Sequence, residues 1–460
     1  LTGTFDLMNV HFIAIGGAAM HNLALALHHK GYQVTGSDDE INEPSKSRLA
    51  NAGLLPAEMG WFPEKLSSNI DAVILGMHAR IDNPELIKAK ELGLNVYSYP
   101  EYLYEQSKNK KRVVIGGSHG KTTITAMILH VLGKSNLKFD FMVGSQLSGF
   151  DTMVKITEDA PIIVLEGDEY LSSPIDRRPK FHLYKADIAL LSGIAWDHIN
   201  VFPTFENYVE QFKIFVDNLP DRGSLIYCSN DIEVDKLCKS VRSTIKKFPY
   251  SVPAYRIVDG TTYLVLGDKE VPLSVFGEHN LMNLEGARLV CNQLGIANDE
   301  FYVSISSFSG AARRLELIAR SENAIVFKDF AHSPSKLLAT SSAVKMQFQN
   351  RKVIACMELH TFSSLNKEFL DQYKGSMDMP DESIVYYNPK TIEHKKLNPI
   401  SVEQVKESFG RTDLMVFDDS IKLQQYLLDK DWNGQVLLLM SSGNFDGIDL
   451  NSFGKKIADS

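Results

Sequence analysis

The chain has 460 residues, of which 44% are hydrophobic and 23% charged, with a net charge of −9. That composition is ordinary for a globular protein of roughly three domains. The acidic balance argues against a general nucleic-acid or membrane-surface binder, because both need a basic face. Cys228, Cys238, Cys291 and Cys356 form no CxxC pair, so neither a zinc site nor a disulfide framework is expected. No apolar run approaches the roughly 18 residues of a spanning helix. The opening "LTGTFDLMNV" lacks the basic start and apolar core of a signal peptide. A cytoplasmic enzyme is expected.

From Asn9 the chain alternates strand-like and helix-like runs. "VHFIAIGG" reads as a buried strand, "MHNLALALHHKGY" as a helix ending near Gly31, and "QVTGSD", "DAVILGM" and "NVYSYP" as further strands. Such βαβ alternation predicts a parallel sheet with helices on both faces. The polar run "YEQSKNKKR", residues 104–112, is expected to connect this unit to the next. The second unit opens at "RVVIGG" and continues through "PIIVLEGDE", "ADIALLSGI" and "GSLIYCSND". It ends in a small β-like patch, "TTYLVLGDKEVPLSVFG", and the helical "HNLMNLEGARLVCNQLG". A third unit follows "SGAARRLEL" with "AIVFKDF", "KVIACMEL", "SIVYYN", "DLMVFD" and "QVLLLMS". The fold class expected is α/β in three domains: a Rossmann-like domain over 1–109, a P-loop domain with a parallel sheet over 110–314, and a Rossmann-like domain over 315–460.

The chemistry concentrates at strand ends. In "VVIGGSHGKTTITAMILHVLG" a glycine turn with a lysine joins a strand to a helix. Lys121 would neutralise the outer phosphates of a nucleotide and Thr122 would offer its hydroxyl to Mg²⁺. The N–H groups from Gly117 through Ser118, His119, Gly120 and Lys121 to Thr123 could ring the phosphates at the helix start. The longer P-loop pattern wants glycine where Ile115 stands, so the match is the shorter G-x-x-G-K-T. A plain strand–helix turn is the alternative. Glu166, Asp168 and Glu169 follow the next apolar strand, where carboxylates hold Mg²⁺ or a water on it, unless the loop is simply solvated. Asp197 and His198 in "SGIAWDHINVF" follow another strand, and His198 is either a further metal ligand or a structural histidine. The N-terminal turn carries Gly16, Gly17, Ala18, Ala19 and Met20 in place of G-x-G-x-x-G, and Asp38 ends the following strand. It predicts an anion at this turn and a ribose or base contact at Asp38, with NAD disfavoured.

Taken together, "GGSHGKTT", "LEGDE", "WDH", "GEHNLMN", "ARRLE", "KDFAHSP" and "IGGAAM…TGSD" resemble, in order, the motifs of the Mur ligase family over essentially the whole chain. The resemblance implies an N-terminal domain for a UDP-sugar, a central ATPase and a C-terminal domain for the incoming amine. It places the diphosphate of UDP-N-acetylmuramate at Gly16–Met20 and ATP at the second glycine turn. Lys121 and Thr122 fall on phosphate and metal positions, Glu166 and His198 on the ligands of Mg²⁺ (or Mn²⁺), and Asn280 and Asn283, with His279 alongside, on adenine contacts. Arg314 matches an arginine near the phosphates and Asp329 a ribose-binding aspartate. His332, beside Ser333 and Pro334, becomes a candidate to accept the amine's proton. Lys213 lies where several branches carry a carbamylated lysine, and reads here as an exposed helix lysine.

Two branches of the family fit the remaining segments: one takes free L-alanine, the other L-Ala-γ-D-Glu-meso-diaminopimelate in peptidoglycan recycling. The long stretch between Glu166 and His198, "GMHARIDNPEL" and the terminal "LLLMSSGNFDGI" resemble the tripeptide branch. "CMELHTFSSLN" keeps the His-Thr-aromatic-Ser of the alanine branch, but Ser364 stands where that branch has an arginine to hold the amino acid's carboxylate. The expected partners are therefore small molecules, UDP-N-acetylmuramate and a short peptide or amino acid, with no nucleic acid and no membrane. A regulator that kept the fold and lost the ligase step is the reading from another class. A folate polyglutamate ligase would leave the N-terminal unit unexplained.

Overall fold

A computed structural model describes residues 8–147, 149–196, 201–310 and 315–459. The chain forms two compact units, one of residues 1–251 and 282–305, the other of residues 252–281 and 306–460.

The first unit holds two parallel sheets. In the N-terminal one the strands lie in the order Gln33–Ser37, Asn9–Ile13, Ala72–Leu75 and Val96–Ser98, all parallel. The alternation of apolar strand and helix dictates this, because a parallel pair can be joined only by a crossover. Helix Ala18–His29 crosses between the first two strands, burying Leu23, Ala24 and Leu27. Helix Tyr99–Ser107 departs from expectation, since Tyr104–Ser107 was read as connector. Its start is fixed by a capping box between Ser98 and Glu101, and buried Tyr102 and Leu103 anchor it. Its polar end hides the boundary in the sequence, so only residues 108–110 link helix to strand.

The second sheet of this unit runs Lys246–Tyr250, Ser224–Cys228, Ile188–Leu191, Lys111–Gly116, Ile162–Glu166, Phe139–Met142 and Val154–Lys155. Only the last strand is antiparallel. The central three strands are apolar runs fully enclosed by helices: Val113, Val114, Ile163, Val164, Ala189 and Leu190 are all at 0% exposure. Strand Phe139–Met142 and the edge strands Val154–Lys155 and Lys246–Tyr250 carry no sequence signal of their own, being short or lysine-bearing.

The second unit contains a six-stranded sheet in the order Glu316–Arg320, Ala324–Asp329, Gln435–Met440, Lys352–Leu359, Glu382–Tyr387 and Met415–Phe417. Its first strand is antiparallel and the rest parallel. The β-like patch forms a separate antiparallel meander of Tyr255–Val258, Thr261–Leu266 and Lys269–Leu273. Among the described residues no helix is long and apolar enough to cross a membrane.

One polar contact ties the N-terminal sheet together. His11 and Glu85 are both fully buried, and His11 Nε2 lies 3.2 Å from Glu85 Oε2 while the Phe62 N–H donates to Glu85 Oε1 at 2.7 Å. Burial pushes the Glu85 carboxyl up, but hydrogen bonds from His11, Ser37 and the Phe62 N–H outweigh it and hold it below the ordinary carboxylate value. Removing one partner of a buried pair leaves the others uncompensated. Glu85→Ala is expected to cost about 3 kcal/mol, read by hydrogen exchange of the Asn9–Ile13 amides. Because the folded value is depressed, this contribution is present at neutral pH and is lost as pH falls through the folded value, below the ordinary carboxylate range. The gap between wild type and variant should therefore narrow in acid.

Candidate active site

Three adjacent strands of the central sheet deliver their carboxyl ends to one place. Strand Lys111–Gly116 runs into the turn Gly117–Gly120, which opens helix Lys121–Lys134. Strand Ile162–Glu166 ends on a carboxylate, and strand Ile188–Leu191 ends at Ser192. In an open α/β sheet this is where ligands bind.

The turn is tightly built. Gly117 and Gly120 have φ of +128° and +78°. A Cβ on Gly117 would lie 2.2 Å from Ser192 Oγ and 2.9 Å from the Ser192 nitrogen, and one on Gly120 would lie 2.4 Å from Asn283 Oδ1. Both sites thus exclude a side chain by conformation and by space. The Ser118 N–H donates to Gly193 O at 2.9 Å, and the Ala195 N–H donates to Ser118 Oγ at 2.9 Å. The helix start leaves backbone donors of the kind that suit an anion.

Charged groups converge on this turn. Lys121 Nζ donates to Gly117 O and to Glu169 Oε2, both at 2.6 Å. Thr122 Oγ1 donates to Glu166 Oε1 at 2.8 Å, and the Gly144 N–H donates to Glu166 Oε2 at 2.9 Å. Asp168 receives Lys180 Nζ at 2.6 Å. Asp168 and Glu169 therefore face lysines rather than forming a solvated acidic loop. Burial alone would lower the Lys121 pKa, but the carboxylates of Glu169 and Asp168 outweigh it and hold it above the usual lysine value. Burial raises Asp168, and Lys180 and Lys121 more than reverse that. At neutral pH the lysine is a cation and Asp168 an anion.

Tested against a magnesium nucleotide, the residues fit. The glycine cradle has room for backbone approach but not for a Cβ, the lysine is charged, and Thr122 with Glu166 is an all-oxygen donor pair suited to a hard cation. Thr123 is buried behind them. His198 and Arg314 lie outside the described residues. Among the described residues no group of three or more His, Cys, Asp or Glu is gathered for a metal.

Asn283 belongs to this first unit and packs against Gly120. The other expected nucleotide contacts belong to the second unit. Asn280 Nδ2 donates to Phe276 O at 2.9 Å. Asp329 receives the N–H groups of Leu315 and Ala331, at 2.5 and 2.8 Å, and the Thr340 hydroxyl at 3.2 Å. Burial lowers the pKa of His279, opposed by the Asp329 charge. His332 Nδ1 lies 2.8 Å from Phe330 O. Lys213 is exposed and pairs with Glu210 and Asp217 of its own helix.

The N-terminal turn borders a cavity of about 730 Å³ lined by Gly16, Gly17, Ala18, Met20 and Asp38. Ala19 is the exposed second residue of the following helix. The Gly16 N–H donates to Asp38 Oδ2 at 2.7 Å, so this aspartate holds the turn itself. Burial, with help from neighbouring Asp39, raises the Asp38 pKa against its backbone hydrogen bonds. The same cavity is lined by Arg48 and His78, which sequence reasoning did not single out. Arg48 donates to Asp151 O at 2.9 Å and lies 3.4 Å from His21 Nε2. It sits in an unremarked polar helix, and no local pattern marks it.

Family models described as "Mur ligase family, catalytic domain" and "Mur ligase middle domain" match residues 9–111 and 115–291. The UDP-N-acetylmuramate–L-alanine ligase of Sulfurihydrogenibium sp. (strain YO3AOP1) is 32% identical over 383 residues, 82% of each chain. That of Carboxydothermus hydrogenoformans is 28% identical over 98% of this chain and 97% of its own. In fold, the chain is similar to a murein peptide ligase from Psychrobacter arcticus (TM-score 0.63, 23% identity, 98% and 99% covered). It is similar likewise to the UDP-N-acetylmuramate–alanine ligase of Thermotoga maritima (TM-score 0.69, 19% identity, 98% of each chain covered).

The glycine geometry makes a paired test. Gly117→Ala is expected to destabilise by about 1–3 kcal/mol, whereas Gly133→Ala, whose Cβ would meet nothing within 4 Å, should be neutral or stabilise by up to about 1 kcal/mol. Hydrogen exchange of the amides of Val113–Ile115 and of helix Lys121–Lys134 would separate the two.

Proposed function

The chain belongs to the Mur ligase family of ATP-dependent peptidoglycan ligases, and from that premise we propose that it joins the lactyl carboxylate of UDP-N-acetylmuramate to the amine of L-Ala-γ-D-Glu-meso-diaminopimelate. The observation that carries the choice of acceptor is a cavity of about 510 Å³ in the second unit, lined by Lys328, His360, Ser441, Ser442, Asn444 and Asn451 among others. That volume is of the order of sites for drug-sized ligands, about 300–1,000 Å³, and suits a peptide better than a single alanine. Nearby in sequence, Ser364 is fully buried and its hydroxyl is engaged with Thr361, so this turn offers no guanidinium to a free amino acid's carboxylate.

In this reading residues 1–109 bind the UDP-sugar through the Gly16–Met20 turn and Asp38, residues 110–314 bind ATP, and residues 315–460 bind the acceptor. The Gly117–Thr123 backbone cradles the phosphates. Thr122, Glu166 and, from its place in the sequence, His198 hold the divalent cation, Mg²⁺ or Mn²⁺. Asn280 and Asn283 meet the adenine, Asp329 the ribose, and Arg314 the phosphates. His332 accepts the proton that the acceptor's ammonium gives up. Magnesium ATP supplies the phosphoryl group that turns the lactyl carboxylate into an acyl phosphate. The acceptor amine attacks that carbonyl, the C–N bond forms, and the C–O bond to phosphate breaks. Lys121 stabilises negative charge at the loop, and positioning and charge stabilisation supply most of the rate. A cytoplasmic location follows from where such nucleotide substrates are made.

A second reading, with free L-alanine as acceptor, is favoured by the names of the relatives at 28–32% identity. Phosphate release from ATP with Mg²⁺ and UDP-N-acetylmuramate separates the two. We expect release with the tripeptide and not with L-alanine. Release with alanine alone would overturn the tripeptide reading, and release with neither would return the chain to a regulatory role. Lys121→Ala should lower turnover by about a hundredfold or more while leaving UDP-sugar binding intact, as read by titration calorimetry.

A further inference from the structure

The partner of Lys121 is itself held in place. Glu169 is 2% exposed, and while Oε2 takes the lysine, Oε1 receives the hydroxyl of Tyr208 at 3.2 Å. Tyr208, on helix Phe205–Asp217, is fully buried, and its oxygen lies 2.9 Å from Ser118 Oγ. A carboxylate can only accept, so Tyr208 donates to Glu169. Ser118 then donates to Tyr208, and the Ala195 N–H donates to Ser118. Donor to acceptor, the hydrogen bonds thus run from the backbone after strand Ile188–Leu191, through Ser118 of the glycine turn and Tyr208, to Glu169, which also accepts from the lysine. An ammonium carries three N–H groups. Among the described residues Gly117 O and Glu169 Oε2 take two, which leaves one direction for a ligand.

We propose that Glu169, oriented by Tyr208, is a positioning residue for the ATP-dependent step, aiming the remaining N–H of Lys121 at the phosphate the Gly117–Gly120 turn accepts. This rests on the reading of that turn as the phosphate site. The same carboxylate partly cancels the lysine's charge, so it restrains binding of the ground-state nucleotide while fixing the direction in which the lysine acts. Aim and affinity are therefore set against each other. Loss of the carboxylate frees positive charge for the nucleotide and loses the fixed geometry that the reacting phosphoryl group needs.

The test uses the full chain. Affinity for a non-hydrolysable ATP analogue with Mg²⁺ is measured by calorimetry, and kcat by phosphate release with whichever acceptor supports it. Glu169→Gln keeps the shape and one oxygen acceptor but removes the charge. It should lower kcat by about tenfold or more while the analogue binds as tightly as to wild type or up to about tenfold tighter. Tyr208→Phe keeps the ring in the core and should lower kcat by about two- to fivefold, again without weakening the analogue. A residue with a merely structural role would weaken binding and turnover together. That proportional loss, or wild-type kcat in both variants, would overturn the proposal. Should Glu169→Gln not fold, the Tyr208→Phe split decides alone. Lys121→Ala in the same calorimetry tests the underlying reading. If analogue affinity is unchanged, the turn is not the phosphate site. If affinity falls while Glu169→Gln keeps full kcat, only the positioning role is lost.

Discussion

The constraint on which the rest of the central sheet depends is the closeness of the Gly117–Gly120 turn to its neighbours. Its backbone passes so near Ser192 and Asn283 that any side chain at either glycine would collide. Because the turn has nowhere else to go, its donors and the first residues of helix Lys121–Lys134 are fixed relative to the strands on either side. Glu166 and Ser192 then stand at set distances from Thr122 and Gly117 without further adjustment. The local cost is positive φ at two positions, which only glycine adopts freely.

The apolar strands make that rigidity possible. Val113, Val114 and Ile115 are fully buried and flanked by strands Ile162–Glu166 and Ile188–Leu191. The lysine and carboxylates at their ends are consequently drawn into a poorly solvated region, where each charge needs a partner. Lys121 with Glu169, Lys180 with Asp168 and Lys110 with buried Asp140 satisfy that requirement. The N-terminal sheet solves the same problem with His11 and Glu85. In each case a side chain that folding takes out of water finds an oppositely charged or hydrogen-bonding partner.

The two glycine turns of the first unit use different supports. At the central turn a lysine and a hydroxyl lie under the loop, and a carboxylate holds each. At the N-terminal turn the Gly16 N–H is bound by Asp38, and Arg48 and His78 come from elsewhere around the cavity. The first arrangement places a fixed cation beneath its turn. The second holds its turn through the Asp38 side chain.

The sequence by itself determined three α/β sheets built around parallel strands, because strands buried on both faces must be continuous apolar runs and their crossovers must be amphipathic; the antiparallel edge strands came from tertiary pairing. It also marked Gly117–Thr123, Glu166 and Gly16–Met20, since glycine and charge at strand ends have few other uses. Tertiary structure decided what adjacency in the chain cannot encode. Glu169 faces Lys121 across 48 residues and Tyr208 faces Glu169 across 39, a meeting set by which strands are neighbours. Arg48 reaches Asp151 across 103 residues, from a helix beside the N-terminal sheet to a loop of the central one. The short strands and the helix Tyr99–Ser107 stay hidden in the sequence because their stability comes from packing and capping rather than from a long periodic pattern. Periodicity is local, and the pairing of charges is not.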